Sequence, residues 1–143
     1  MAKAQAAGYS GKPLHEKLGI KPGMRVAVLR PPSNYAKLLG RLPPGATIVG
    51  KPAQGAPFVH LFVKRASELE EQLPTFRRTI AQDGMLWVSW PKKASGVPTD
   101  VTEHVVRGLA LPLGLVDVKV CAIDETWTAF KLVIRVSERL KGD

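Results

Sequence analysis

Short apolar segments rich in β-branched residues alternate with helix-forming segments along this chain. The apolar segments are typical of strands, and they lie at residues 25–29, 47–49, 58–63, 85–90, 116–123 and 127–136. Residues 58–63 are apolar on both faces except at His60, as in a parallel strand that is covered on both sides. The alternation therefore predicts an α/β protein with an open, mostly parallel sheet and helices on both of its faces, in three layers.

Helix signals fill most intervals between these strands. The predicted helices begin at Pro13, at Ser33 or Asn34, at Ser67, and at Thr99 or Asp100. Ser67 and Glu70 have the spacing of a capping box. Only Asp124, Glu125 and Thr126 separate the last two strands, so these strands must pair as an antiparallel hairpin.

The length of 143 residues predicts one domain, at residues 13–143, after a loosely ordered tail at residues 1–12. Cys121 is the only cysteine, which excludes an intramolecular disulfide and a cysteine-based zinc site. The histidines lack metal-ligand spacing and the carboxylates form no cluster, so no metal is expected. Because neither a secretory signal nor a membrane-spanning stretch is recognisable, we expect a cytoplasmic protein without membrane contact.

Positive charge is concentrated in the first half of the sequence. Residues 1–65 contain 11 lysines and arginines and one acid, Glu16, whereas residues 66–143 contain 10 bases and 11 acids. The two halves thus carry net charges of +10 and −1. Such a field attracts anions, which include nucleic acid, phosphorylated metabolites and acidic proteins. The alternative is that the charge serves only solubility.

A helix leads through a turn into an apolar strand in two segments, Leu73-Pro74-Thr75-Phe76-Arg77-Arg78 and the stretch from Gln82 to Pro91. These segments resemble the middle of a class I methyltransferase. Residues 101–135 match the C-terminal end of that fold. The resemblance implies a Rossmann-like sheet of order 2-1-3-4-6-5, with one helix-strand unit missing between the second and third strands.

The chain as a whole also resembles an uncharacterised bacterial family of small proteins. The segments that carry this resemblance are Ala7–Gly11, Lys17–Ile20, Trp90–Val97, Thr99-Asp100 and Val120–Trp127. This family implies no activity that can be carried over.

Two departures from the methyltransferase pattern concern the cofactor. The turn after the first strand, Arg30-Pro31-Pro32-Ser33-Asn34, lacks the glycines that let S-adenosylmethionine approach the backbone. The second strand ends in Gly50-Lys51 instead of an acid, and a lysine cannot accept hydrogen bonds from ribose hydroxyls. The sequence therefore predicts that this cofactor is not bound.

A candidate anion site lies where the parallel strands end, because ligands of open α/β sheets bind at the carboxyl ends of the strands. Basic side chains follow four strands, and two helix N-termini open at the same edge, after Ser33 and after Thr99-Asp100. The loop of residues 92–96 adds hydroxyl and backbone donors, and the indole of Trp90 lies at the strand mouth. The predicted ligand-binding residues are Arg30, Ser33, Asn34, Lys51, Lys64, Trp90, Lys92, Lys93, Ser95, Gly96, Thr99 and Asp100. The alternative is that the lysines are solvated loop residues.

The sequence leaves three functions open. The first is a non-catalytic methyltransferase-like domain that binds a small anionic ligand, with Arg30, Lys51 and Lys92 converging on it. The second is a sequence-independent nucleic-acid-binding protein that uses the basic first half. The third is a diverged methyltransferase, for which Asp100 is the nearest acid. No catalytic residue is identified, His60 and Cys121 are expected to be buried core residues, and the oligomeric state stays open.

Overall fold

The computed structural model describes residues 12–140, so all but the last residue of the predicted N-terminal tail lies outside the described part. The helices are α1 (Leu14–Leu18), α2 (Tyr35–Leu39), α3 (Ala66–Thr79) and α4 (Glu103–Ala110). The strands are β1 (Arg25–Leu29), β2 (Thr47–Val49), β3 (Ala56–Phe62), β4 (Ile80–Pro91), β5 (Leu115–Ala122) and β6 (Trp127–Ile134).

The six strands form one sheet in the order β2-β1-β3-β4-β6-β5, which confirms the predicted topology. Strands β2, β1, β3 and β4 pair in parallel. Strand β6 is antiparallel to both of its neighbours, β4 and β5. The C-terminal hairpin follows from the short link between β5 and β6, which leaves no room for a crossover helix.

Helices cover both faces of the sheet, which confirms the three-layer architecture. On one face, α3 and α4 contribute Leu69, Leu73 and Val106 to a core cluster that includes Leu61 and Val88 of the sheet. On the other face, α1 and α2 pack against the remaining sheet residues, and Trp87 lies fully buried there. The indole Nε1 of Trp87 donates a hydrogen bond to the carbonyl of Leu18 at 3.0 Å, which satisfies its polar atom in the core.

The structure corrects the predicted turn at Asp83-Gly84. These two residues lie inside β4, which begins directly after α3. A Cβ atom at Gly84 would lie only 2.9 Å from the carbonyl oxygen of Ala56, so the close approach of β3 requires a glycine. Strand β4 pairs with β3 at Ile80 and again from Met85 onward, so residues 81–84 form an irregularity within the strand where local sequence indicated a turn before it.

The link between β2 and β3 contains no helix. Residues 50–55 return the chain to the start of β3, on the far side of β1. Two hydrogen bonds hold this link against the C-terminus of α3: Gln54 Nε2 donates to the carbonyl of Arg78, and the amide of Gly55 donates to the carbonyl of Thr79, both at 2.8 Å. We call residues 50–55 the crossover link.

Candidate functional site

The carboxyl ends of β1 and β3 form the point at which the chain direction across the sheet reverses. From β1 the chain proceeds to β2 on one side, and from β3 it proceeds to β4 on the other. Ligands of open α/β sheets bind in the crevice at such a point. Here an ion pair spans it: Arg30, directly after β1, donates from Nη1 to Oε2 of Glu68 in the first turn of α3, at 2.9 Å.

Glu68 also caps α3. Its Oε1 accepts hydrogen bonds from the backbone amides of Lys64 at 3.1 Å and Arg65 at 3.3 Å. These amide contacts, that of Lys64 first, together with the nearby charges of Arg30 and Arg65, hold the pKa of Glu68 below its usual range despite an opposing effect of burial. The predicted capping box of Ser67 and Glu70 is therefore wrong, since the cap begins two residues earlier. Glu68 is not among the predicted site residues, although an acid in the first helical turn is the signal for such a cap.

The loop between β4 and α4 is fastened to the end of β3. Thr99 donates from Oγ1 to the carbonyl of Lys64 at 2.7 Å, and Asp100 Oδ1 accepts from the amide of Ala66 at 2.7 Å. Neither residue caps α4 as predicted; that helix is capped by Thr102, whose hydroxyl accepts from the amide of Val105. Asp100 thus accepts a hydrogen bond from a backbone amide at the N-terminus of α3.

A cavity of about 380 Å³ lies beside these contacts. We call it the carboxyl-edge cavity; its lining residues are Lys64, Arg65, Val97, Pro98, Thr99 and Asp100. Lys64 and Arg65 are exposed and form no ion pair within residues 12–140. The lining therefore offers two cations and one carboxylate, which suits a ligand that carries both an anionic group and a hydrogen-bond donor.

The polar groups of residues 92–96 form hydrogen bonds that stabilise a turn in this loop. The amide of Lys92 donates to the carbonyl of Thr126 at 2.7 Å, and the hydroxyl of Ser95 donates to the carbonyl of Lys92 at 2.7 Å. Ser95 Oγ also accepts from the amide of Val97. Gly96 ends the turn with a φ of 78°, a left-handed conformation that favours glycine. Lys92, Lys93, Ser95 and Gly96 do not line the carboxyl-edge cavity.

Three further predicted residues lie apart from this cavity. Trp90 is only 4% exposed and packs edge-to-face on Phe130 at 5.1 Å, so its indole belongs to the core and does not line the carboxyl-edge cavity. Ser33 and Asn34 are exposed at the start of α2, where Asn34 makes no capping hydrogen bond through its side chain. The turn after β1, which contains Ser33 and Asn34, begins with Arg30. The φ of Arg30 is 57°, a strained value for a residue with a side chain.

Lys51 lies in a different cavity. The crossover link leaves about 220 Å³ between itself and the start of β1 and β3. We call this space the crossover cavity; its lining residues are Arg25, Ala27, Val49, Lys51, Pro52, Ala53, Gln54, Gly55, Ala56 and Pro57. The structure therefore does not bring Arg30, Lys51 and Lys92 into one cavity, because the chain turns back toward β3 directly after β2.

A buried chain of hydrogen bonds links α2, β3 and β4 through His60. The hydroxyl of Tyr35 lies 2.9 Å from Nδ1 of His60, and Nε2 of His60 lies 2.7 Å from Oγ of Ser89. A neutral imidazole has one donor and one acceptor nitrogen, so it satisfies both neighbours. Burial lowers the pKa of His60 to about 3 and raises that of Tyr35, so both side chains are neutral at physiological pH. His60 is a core residue, as predicted, but its partners are distant in sequence and carry no local signal.

Other chemistry is sparse in the described part of the chain. Within residues 12–140 no group of three His, Cys, Asp or Glu side chains is placed to share a metal ion. Cys121 is buried, as expected, and burial raises the pKa of its thiol, which makes the reactive thiolate scarce. None of the helices in this part combines the length and the apolar character needed to cross a bilayer.

Comparison with solved structures identifies proteins of the same fold. A SAM-dependent methyltransferase from Aquifex aeolicus aligns with 85% of this chain and 87% of its own, with a TM-score of 0.61 and 12% identity. A putative type 11 methyltransferase from Sulfolobus solfataricus aligns with 90% of this chain and 93% of its own, with a TM-score of 0.60 and 12% identity. LepI in complex with SAM aligns with 92% of this chain but only 41% of its own, with a TM-score of 0.54 and 17% identity. No protein-family model matches the sequence, and no curated protein matches it.

Proposed function

We propose that this chain, which has the fold of class I S-adenosylmethionine-dependent methyltransferases, is a non-catalytic domain that binds a small anionic ligand of the phosphate or nucleotide type. Because one fold hosts many functions, the proposal depends on the residues of the site. One observation carries it: Lys64 and Arg65 line the carboxyl-edge cavity and are not neutralised by an ion pair within the described residues.

The mixed lining of this cavity favours a nucleotide or sugar phosphate over a bare anion. Lys64 and Arg65 would hold the phosphate, since cations form strong hydrogen bonds with phosphate oxygens. One oxygen of Asp100 is used by the amide of Ala66, which leaves the other to accept from a ligand hydroxyl. The volume of about 380 Å³ is within the usual range for small-molecule sites.

The residues at the strand ends do not fit S-adenosylmethionine. The turn after β1 has two prolines and a strained arginine where the methyltransferase pattern has glycines. The Arg30–Glu68 ion pair spans the crevice between β1 and β3, and Lys51 follows β2 where an acid would bind ribose. Arg30 would have to leave Glu68 before a cofactor could enter this crevice. These features support a binding function without methyl transfer.

The proposal is tested by thermal shift and calorimetry with AMP, inorganic phosphate, sulfate, S-adenosylhomocysteine and a short DNA duplex. A ligand at 100 times its Kd stabilises the fold by about 2.7 kcal/mol, which raises the Tm by several degrees. We expect AMP to bind more tightly than phosphate, and Lys64→Ala/Arg65→Ala to weaken it at least about ten-fold. The matched control is Lys37→Ala/Arg41→Ala, which removes two exposed cations outside both cavities. No response to AMP or phosphate, or an equal loss in the control, would contradict the proposal.

Nucleic-acid binding is the second candidate, and the exposed cations of the first half favour it. Between residues 12 and 65 nine of the ten lysines and arginines are exposed, and Glu16 is the only acid. Such binding would depend strongly on salt because counterions are released from the phosphate backbone. A shift with the DNA duplex alone, lost at high salt and reduced by the control variant, would replace the first proposal with this one. Saturable binding of S-adenosylhomocysteine would instead indicate a diverged methyltransferase.

A further inference from the structure

The crossover cavity is bordered by the crossover link, which is held in place by one backbone and one side-chain hydrogen bond. Gln54 and Gly55 donate hydrogen bonds to the last carbonyls of α3, at 2.8 Å each. These contacts fix the link above β1 without a helix between β2 and β3. The cavity is therefore a preformed feature of the fold, and it is separate from the carboxyl-edge cavity because the two share no lining residue.

The floor of the crossover cavity is small and apolar. Ala27 of β1 is 1% exposed and Ala56 of β3 is also buried, and Val49 lies beside them. Their short side chains leave the space that larger residues would fill. Pro52 and Pro57 add apolar surface and have no amide proton to offer. This floor suits a hydrocarbon group better than an ion.

The charges of this cavity have one sign. Arg25 and Lys51 are its only charged lining residues, and neither forms an ion pair within residues 12–140. In the carboxyl-edge cavity, by contrast, Asp100 stands among the cations. Two unpaired cations beside an apolar floor attract a ligand that is anionic at one end and apolar at the other.

We propose that the crossover cavity binds a short organic carboxylate, with its carboxylate between Arg25 and Lys51 and its hydrocarbon part on Ala27 and Ala56. The cavity volume of about 220 Å³ lies below the usual range of about 300–1,000 Å³ for small-molecule sites, which favours a ligand as small as butyrate. An arginine side chain matches the two oxygens of a carboxylate in planar geometry. The site is independent of the ligand proposed for the carboxyl-edge cavity.

The test is a titration of the isotope-labelled full chain with butyrate, acetate and inorganic phosphate, followed by amide chemical shifts. We expect saturable shifts centred on Ala27, Val49 and Gly55, with butyrate binding most tightly because it alone covers the apolar floor. Arg25→Gln and Lys51→Gln should each weaken butyrate binding about ten-fold. Both side chains are exposed, so the variants should keep the fold, and dispersed amide spectra verify this.

Two controls separate this site from general charge and from the carboxyl-edge cavity. Lys21→Gln and Arg41→Gln each remove an exposed cation that lines neither cavity, and they should leave butyrate binding within about two-fold. Lys64→Ala/Arg65→Ala should also leave it intact, even if the carboxyl-edge cavity binds nothing. The inference is overturned if no probe causes saturable shifts at these amides, if phosphate binds as well as butyrate, if the controls weaken binding equally, or if these amides respond only to a DNA duplex.

Discussion

The carboxyl-edge cavity and the crossover cavity are both lined by two cations, yet the acidic groups around those cations differ. Around the carboxyl-edge cavity, Glu68 accepts hydrogen bonds from the backbone amides of Lys64 and Arg65, and Asp100 accepts one from the amide of Ala66. Around the crossover cavity, no carboxylate is present among the lining residues, and Arg25 and Lys51 have no ion-pair partner within the described residues. The cations of the carboxyl-edge cavity thus lie beside two carboxylates that hold loops together, whereas those of the crossover cavity have no carboxylate among the lining residues.

This difference teaches that basic residues at strand ends are not equivalent. A charge that contributes to a cap or an ion pair acts on stability, and its removal leaves partners unsatisfied. A charge without a partner contributes little to stability and acts chiefly through the field it presents to ligands. The comparison predicts separate effects of mutation on stability and on binding at the two cavities.

The largest expected effect concerns His60, which is fully buried and hydrogen-bonded to Tyr35 and Ser89, unlike the exposed cations of the two cavities. His60 has an ordinary pKa of 6.5 when unfolded and about 3 when folded. Below pH 6.5 the unfolded chain therefore binds more protons than the folded chain. As the pH decreases below this value, the free energy of unfolding should decrease by up to about 1.4 kcal/mol per pH unit. Urea denaturation at pH 7.5 and pH 5 measures this loss, which His60→Gln should largely remove. Parallel pH dependence in both proteins would show that His60 does not titrate on unfolding.

A smaller effect is expected at Glu68. Glu68→Ala removes two amide contacts and the Arg30 ion pair, and it should lower the free energy of unfolding by about 1–2 kcal/mol. Because its folded pKa is depressed, this contribution is present above the ordinary carboxyl pKa and is lost as pH falls. The matched control is Glu70→Ala, an exposed acid of the same helix that should change stability by no more than about 0.5 kcal/mol. Equal effects of the two substitutions would show that the hydrogen bonds and the ion pair of Glu68 contribute no more to stability than the exposed carboxylate of Glu70.

Asp100→Asn sharpens the comparison because it makes the charges of the carboxyl-edge cavity resemble those of the crossover cavity. The amide oxygen can still accept from Ala66, so stability should change by less than about 1 kcal/mol. Inorganic phosphate should bind more tightly once the negative charge is gone, by a few-fold at low salt. Calorimetry at two salt concentrations measures the change. Weaker phosphate binding in this variant would mean that Asp100 does not oppose an anion there.

The smallest effect on stability is expected at the crossover cavity. Arg25→Ala and Lys51→Ala should each change the free energy of unfolding by no more than about 0.5 kcal/mol, since neither side chain has a charged partner in residues 12–140. Urea denaturation tests both, with the wild-type chain as reference. A loss comparable to that of Glu68→Ala would show that these cations hold the crossover link in place.

Much of the fold could be predicted from local sequence, and the deviations have a common cause. Strands β1 and β2 coincide with the predicted segments because turn signals with proline and glycine flank them. Strand β3 begins two residues before its predicted start, and β4 begins at Ile80 rather than Met85. Ala56 and Ile80 pair with each other, so each strand extends because the other is there to accept its hydrogen bonds.

The candidate site was less predictable than the fold. Of the predicted residues, Lys64, Thr99 and Asp100 line one cavity, whereas Lys51 lines another and Trp90 lies in the core. Whether any of them binds a ligand stays a prediction. Arg30 was predicted to face a ligand, but its partner is Glu68, 38 residues away. The alternation of apolar and polar residues in a strand indicates which side of the sheet a residue faces. It does not indicate which charged residue of another segment forms an ion pair with it.

The sequence by itself determined the alternation of strands and helices, the C-terminal hairpin and the concentration of positive charge in the first half. These properties follow from local periodicity, link length and composition, which need no knowledge of distant neighbours. Only the tertiary structure decided which cations are paired, which cavity Lys51 lines, and that Tyr35, His60 and Ser89 meet in the core. Ion pairs, cavities and buried hydrogen bonds depend on distances of a few ångströms between segments far apart in the chain, and these distances are set only when the sheet is assembled.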